Sequence, residues 1–241
     1  MKFQYEDELI EHKDIIEPLF GEILKECFLN CMCIKSKSIE PLYSLYLDIK
    51  YIVQYDIPGD IVECGVWKGG MMQFAALLLK KLGDESRNLY LYDTYSGMPE
   101  PGDYDLDWDN ISAKNAYNLC QQKGIKWGYG GPLEDVKNNL FSTGYPEDKI
   151  YFIEGLVEET IPKTIPKSIS ILRLDTDFYD STKHELNELY PLLNIGGILI
   201  IDDYGYYKGS RKATDEYIED NKLKILLHRT HASVYQGVKI E

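Results

Sequence analysis

Basic residues are scarce in this chain. Lys and Arg number 26 against 40 Asp and Glu, a formal net charge of −14 over 241 residues. A surface that acidic disfavours nucleic acids and anionic membranes as partners and favours a neutral or cationic substrate. Long apolar runs are missing too. Nothing approaches the roughly 18 residues of a membrane helix, and no apolar segment of signal-peptide type follows Met1, so no membrane span is expected and a reducing cytoplasm is the expected compartment. The five cysteines, at 27, 31, 33, 64 and 120, are an odd count without a disulfide framework. Cys27, Cys31 and Cys33 come close to an iron–sulfur triplet, but the last gap is one residue where that motif needs two, and they read as buried or half-buried thiols. No internal repeat or low-complexity tract is present.

Carboxylates stand at the ends of apolar runs. Residues 169–174 and 198–201 are β-branched and apolar, each run ends in acids, and the 17 residues of 182–198 suffice for a crossover helix. Parallel strands of a βαβ unit aim their carboxyl ends at one side of a sheet, so Asp175, Asp177, Asp202 and Asp203 should converge. Acids crowded in this way repel one another unless a cation, a substrate or a shared proton relieves them. Upstream, residues 60–70 read as a strand running into a glycine turn before an apolar helix over 71–82 that Gly83 ends. The spacing of Gly65, Gly69 and Gly70 does not fit a dinucleotide fingerprint, and Glu63 would oppose a pyrophosphate. An acid there suits a cationic group such as the ammonium of an amino acid, the bland alternative being a strand-end acid paired with Lys68. The second strand, 88–93, ends in Asp93, placed where α/β folds receive ribose hydroxyls on a carboxylate. An ammonium acid followed by a ribose acid points to S-adenosylmethionine.

The remaining chain frames these sites. Residues 15–28 carry a broken helical period in Ile15, Ile16, Leu19, Phe20, Ile23, Leu24 and Cys27, an arm whose stripe packs either on the main domain or on a second subunit of a homo-oligomer. Residues 41–55 form a second helix with Leu42, Leu45, Tyr46, Ile49 and Ile52 on one face. Residues 95–110 are a loop in which Asp103, Asp105 and Asp107 imitate a calcium site, but Trp108 and Lys114 stand where Gly and Glu are needed. The loop is either solvated or a lid whose acids contact hydroxyl groups. Helices are expected over 111–123 and 133–141, a third strand over 149–155, and a helix opened by a Thr182 to Glu185 capping box. Residues 210–220 read as a polar helix, and 224–228 and 232–238 as closing strands. His184 should face solvent, and His228 and His231 read as structural.

Four stretches resemble the macrocin O-methyltransferase family over residues 41–240: Pro58-Gly-Asp-Ile-Val-Glu-Cys-Gly-Val-Trp-Lys-Gly-Gly, Asp93-Thr-Tyr-Ser-Gly-Met-Pro, Leu172-Arg-Leu-Asp-Thr-Asp-Phe-Tyr-Asp-Ser-Thr, and Ile200-Ile-Asp-Asp-Tyr-Gly. The resemblance implies an α/β, Rossmann-like class I methyltransferase fold: a mostly parallel seven-stranded sheet with an antiparallel last strand, an N-terminal helical arm over 1–56 and a catalytic domain over 57–241. It implies methyl transfer from S-adenosylmethionine to a hydroxyl of a sugar in a glycan, nucleotide sugar or glycosylated small molecule, with Mg²⁺ held by Asp175, Asp202 and Asp203 and Asp177 as base. The cofactor residues it implies are Glu63, Gly65, Trp67, Gly69, Asp93, Tyr95, Ser96, Gly155 and Leu156. Certain members carry a histidine after the second strand, whereas here none lies between 13 and 183, which shifts the base role toward Asp177 or leaves it open. A rival reading is a nucleotide-sugar glycosyltransferase, in which Asp175 and Asp177 would bridge a metal to a diphosphate. Another is a binding module of the same fold.

Overall fold

The computed structural model describes residues 17–31 and 39–241. Its β-branched runs assemble into one seven-stranded sheet ordered β3-β2-β1-β4-β5-β7-β6. β1 (Asp60–Cys64), β2 (Leu89–Asp93), β3 (Ile150–Glu154), β4 (Ile169–Leu174) and β5 (Leu193–Ile201) run parallel. β7 (Tyr235–Val238) is antiparallel both to β5 and to β6 (His228–Arg229). This is the expected topology. The closing hairpin is shorter than expected, since pairing on the outer strand is confined to His228 and Arg229 rather than 224–228.

Side-chain alternation gives the sheet two apolar faces, as burial beneath helices on both sides requires. Ile61, Leu91, Ile171 and Ile200 share one core with α1 (Pro18–Cys31), α2 (Glu40–Gln54), α3 (Gly70–Leu82) and α5 (Leu133–Phe141). Val62, Tyr92, Leu172 and Leu199 pack with α6 (Val157–Thr160), α7 (Tyr179–Leu189) and α8 (Lys208–Asp220) on the other. The remaining α-helix among the described residues, α4 (Ala113–Gln122), follows the 95–112 loop, with Ser112 accepting a hydrogen bond from the Lys114 N–H as its cap.

The arm's apolar stripe packs on its own chain. Phe20, Ile23, Leu24 and Cys27 are buried, and the Phe20 ring lies 5.7 Å from Phe74 of α3. Each such side chain contributes about 1.5–3 kcal/mol when fully buried. Ile15, Ile16 and Cys33 lie outside the described residues, as does any triplet with Cys27 and Cys31. The second helix docks through a polar contact: Gln236 of β7 donates to Asp48 at 3.0 Å and accepts from Ser44 at 2.8 Å. Burial pushes the Asp48 carboxyl up to about 7, against the hydrogen bond from Gln236, and its Oδ2 has no partner.

α7 corrects one expectation. It starts at Tyr179, ahead of the Thr182 to Glu185 box, and no side chain of its own caps it. The Tyr179 N–H instead donates 2.8 Å to Asp105, far away in sequence. Thr182 and Glu185 are buried in the first turns, where Glu185 accepts from the Thr176 hydroxyl at 3.0 Å.

Candidate functional site

A cleft of about 800 Å³ opens at the carboxyl ends of the central strands, where Glu63, Asp93, Asp175 and Asp202 all reach it. Glycine makes this approach possible. Gly65 leaves β1 at φ 83°, and a Cβ there would lie 2.5 Å from the Asp175 carbonyl carbon and closer still to its oxygen, so no side chain fits between the ends of β1 and β4. Gly69 sits at the N-cap of α3 at φ 80°. Across the cleft Gly130 packs on Trp67, where a Cβ would meet the indole Cδ1 at 2.6 Å.

Arg173 is the centre of the charge arrangement. In register with Glu63 across the β1–β4 pair, its Nη1 donates 2.6 Å to Glu63 Oε1 and 2.6 Å to Asp175 Oδ2, while Nη2 donates to Asp202 Oδ1. Glu63 therefore pairs with Arg173 and not with Lys68, whose ammonium lies 4.8 Å over the Trp67 ring. Glu63 is buried with Oε2 unpartnered. Its burial lifts the carboxyl to about 7, with Arg173 opposing the rise. Two unit charges about 4 Å apart interact by about 4 kcal/mol at the effective dielectric of a protein site, so a single guanidinium is an essential but incomplete counterweight to this many acids.

Asp175, Asp202 and Asp203 each bring a carboxylate oxygen within 4.8 Å of the other two. The donor set is all oxygen, as a hard divalent cation prefers. Arg173 occupies one oxygen each on Asp175 and Asp202 and leaves the other, and Asp203 Oδ2 is buried without a partner. These residues fit a cation such as Mg²⁺. Burial pushes Asp175, Asp177 and Asp203 well above the usual carboxylate range; neighbouring carboxylates add to this, while Arg173 opposes it at Asp175 and Asp203.

Asp177 reaches the same cleft by a different route from the one expected. β4 ends at Leu174, and Asp177 turns away at φ 68°, so strand alternation does not position it. Its carboxyl comes to Asp203 instead, with which it shares a hydrogen bond.

Among the other sequence-derived residues, Trp67, Asp93, Tyr95, Gly155 and Leu156 line the cleft, whereas Gly69 and Ser96 do not. Asp93 is largely occupied by its own backbone: Oδ2 accepts from the Val66 and Trp67 N–H groups at 2.8 and 2.9 Å, and Oδ1 from Tyr95 at 2.7 Å. One lone pair on Oδ1 is left for a ligand, not a free oxygen for each of two hydroxyls. The Tyr95 side chain is buried, its hydroxyl donating to the Leu91 carbonyl at 3.2 Å.

The loop acids serve the loop. Asp105 accepts from Gly102 and Tyr179 N–H groups, Asp107 from those of Asp109 and Ile111, and Asp103 pairs with Lys114. His184 is half-buried rather than solvent-facing, and none of the described histidines lines the cleft. Sequence reasoning missed Arg173, although a cation inside an apolar strand run must find an acid. It also missed Trp127 and the glycines after it, and Tyr206 and Tyr207, which supply the aromatic wall beside Asp177.

The macrocin O-methyltransferase (TylF) family model matches residues 40–235. The chain is 32% identical over 179 residues to the 8-demethyl-8-(2,3-dimethoxy-alpha-L-rhamnosyl)-tetracenomycin-C 4'-O-methyltransferase of Streptomyces olivaceus, covering 74% of this chain and 65% of that protein. It is 32% identical over 161 residues to the mycinamicin III 3''-O-methyltransferase of Micromonospora griseorubida, covering 67% and 61%. These matches span less than two thirds of the relatives' own length. Among solved structures, the O-methyltransferase NovP superposes with a TM-score of 0.73 at 24% identity over 85% of this chain and 81% of its own. The calicheamicin methyltransferase CalS11 does so with 0.63 at 19% identity over 96% and 90%. The sheet is that of the class I O-methyltransferases, and the chain belongs to the macrocin O-methyltransferase family.

Proposed function

We propose that this protein transfers a methyl group from S-adenosylmethionine to a hydroxyl of an unphosphorylated sugar, with a divalent cation bound beside the acceptor. The observation that carries this reading is that one cleft joins the unpartnered Glu63 oxygen to the oxygen triad of Asp175, Asp202 and Asp203. S-adenosylmethionine supplies an electrophilic methyl on a sulfonium, and a divalent cation supplies positive charge where a hydroxyl loses its proton.

The chain's own residues do the rest. Glu63 Oε2 accepts from a ligand ammonium, and Asp93 holds the turn after β1 in the shape that admits the ligand. Asp175, Asp202 and Asp203 hold the cation. Asp177 takes the acceptor's proton on its carboxylate, positioned transfer of this kind being worth about 10²- to 10⁴-fold. Trp127, Tyr206 and Tyr207 offer flat apolar surfaces to a sugar ring and limit water. In this reading residues 57–241 are the catalytic domain and residues 1–56 its helical arm.

The charge of the cleft selects the acceptor. Its lining carries Glu63, Asp93, Glu158, Asp175, Asp177, Asp202 and Asp203 and, among the described residues, no Lys, Arg or His. A nucleoside diphosphate would meet these carboxylates without a cationic side chain to pair with. The glycosyltransferase reading is disfavoured for the same reason. Incubation with methyl-labelled S-adenosylmethionine, Mg²⁺ and a panel of neutral glycosides and nucleotide sugars tests this. Label should pass to neutral glycosides; transfer confined to nucleotide sugars, or glycosyl transfer without methylation, would overturn it.

A further inference from the structure

Arg173 lies between the two halves of the site just described, and neither half explains it alone. β4 runs between β1 and β5, so a side chain on its cleft-facing side can reach acids on both neighbours. The guanidinium does so, taking one oxygen from Glu63 on β1, one from Asp202 after β5 and one from Asp175 on its own chain segment. In each case the second oxygen is left over. On Glu63 that oxygen is buried without a partner, and Asp175 and Asp202 each bring a carboxylate oxygen within 4.8 Å of one on Asp203, whose Oδ2 is also buried without a partner. Arg173 itself is 6% exposed. A planar fork is needed for this, because the three acids are met from fixed directions by two nitrogens, whereas a lysine ammonium is one point charge on a flexible stem.

We propose that Arg173 is a positioning residue that binds the cofactor end and the cation end of the cleft into one unit, so that affinity at both ends depends on the same guanidinium. This rests on the functional reading above. Held by Arg173, Glu63 presents one oxygen to a ligand ammonium, and Asp175 and Asp202 present one oxygen each to the cation. Without it, three carboxylates repel one another and turn away from these directions. The linkage is reciprocal, since each ligand alters the charge that the guanidinium shares with the other end.

The test measures binding without turnover. S-adenosylhomocysteine is titrated calorimetrically in excess EDTA, and Mn²⁺ is titrated by electron paramagnetic resonance without nucleoside, for wild type, Arg173→Lys and Arg87→Lys. Arg87 is the control: it is also buried, but its contacts are Asp84 and the Ile52, Ile57 and Gly59 carbonyls. Arg173→Lys should weaken both probes about tenfold or more, the loss typical when a partner that orients a ligating carboxylate is removed, while Arg87→Lys lowers Tm and leaves both affinities intact. Unchanged affinities in Arg173→Lys, or a change in only one of the two, would overturn the proposal while the functional reading stands. A wild type that binds neither probe overturns both. If Arg173→Lys does not fold, Glu63→Gln with Arg173→Met removes acid and cation together; it should bind Mn²⁺ more weakly than Glu63→Gln alone, and equal binding overturns the proposal.

Discussion

Gly65→Ala perturbs the point where β1 and β4 approach most closely, and its consequence can be worked out beforehand. Two costs add. The residue sits at φ 83°, a left-handed conformation that costs a residue with a Cβ roughly 1–2 kcal/mol. The new methyl would also lie 2.5 Å from the Asp175 carbonyl carbon, about 1 Å inside ordinary contact, and the atoms it meets are backbone. Forcing a group into such a space costs about 1–3 kcal/mol more, because the chain carrying Asp175 must move. Gly83→Ala carries the first cost alone, since it has nearly the same φ, 78°, but nothing lies within 4 Å of its added Cβ; the difference between the two variants is the second cost. With each kcal/mol worth about 2–4 °C in a chain of this size, Gly65→Ala should lower Tm by about 4–20 °C and Gly83→Ala by about 2–8 °C. The displacement moves Asp175 relative to Asp202 and Asp203, so Mn²⁺ affinity should fall in Gly65→Ala and hold in Gly83→Ala. Thermal unfolding with Mn²⁺ titration measures both. Equal Tm losses with unchanged Mn²⁺ binding would refute the claim that the close approach shapes the site.

Asp177→Asn keeps the side chain's shape and removes its proton acceptor, so kcat should fall by about a hundredfold or more while S-adenosylhomocysteine and Mn²⁺ still bind; activity recovered by raising the metal would make Asp177 a ligand instead. Asp202→Asn should weaken Mn²⁺ binding itself, and a wild-type metal affinity in that variant would remove Asp202 from the cation site. Asp48 gives a pH dependence of stability. Its carboxyl moves from 3.8 to about 7 on folding, so the folded chain holds a proton that the unfolded chain has released, and stability falls as pH rises between those values, by up to about 4 kcal/mol. Denaturant titrations should show Asp48→Asn flattening that decline and gaining stability at pH 8; an unchanged profile would place the dependence elsewhere.

What could be read from the sequence followed local rules. Strands β2 to β5 were legible because each is an apolar run closed by an acid, and the Leu42, Leu45, Tyr46, Ile49 and Ile52 stripe of α2 is buried as its period requires. What escaped depends on distant partners. The Thr182 and Glu185 spacing looked like a cap because such a box is local, but the N-terminus of α7 is satisfied by Asp105 from another part of the chain. The alternative reading of Glu63 paired it with Lys68, a sequence neighbour, when its partner stands opposite on β4. The Asp93 carboxylate could not be known to hold backbone N–H groups until the turn after β1 was seen folded against it. Asp177 was read as part of a strand's carboxyl end, but β4 stops at Leu174.

Thermal unfolding and calorimetry with S-adenosylhomocysteine test the central claim most directly. Binding is expected at one site per chain, with a stabilisation of about 2.7 kcal/mol at a hundredfold excess over Kd, and weaker binding in Glu63→Gln. A nucleotide sugar run in parallel should leave both Tm and heat unchanged. Binding of the nucleotide sugar in place of S-adenosylhomocysteine would contradict the account.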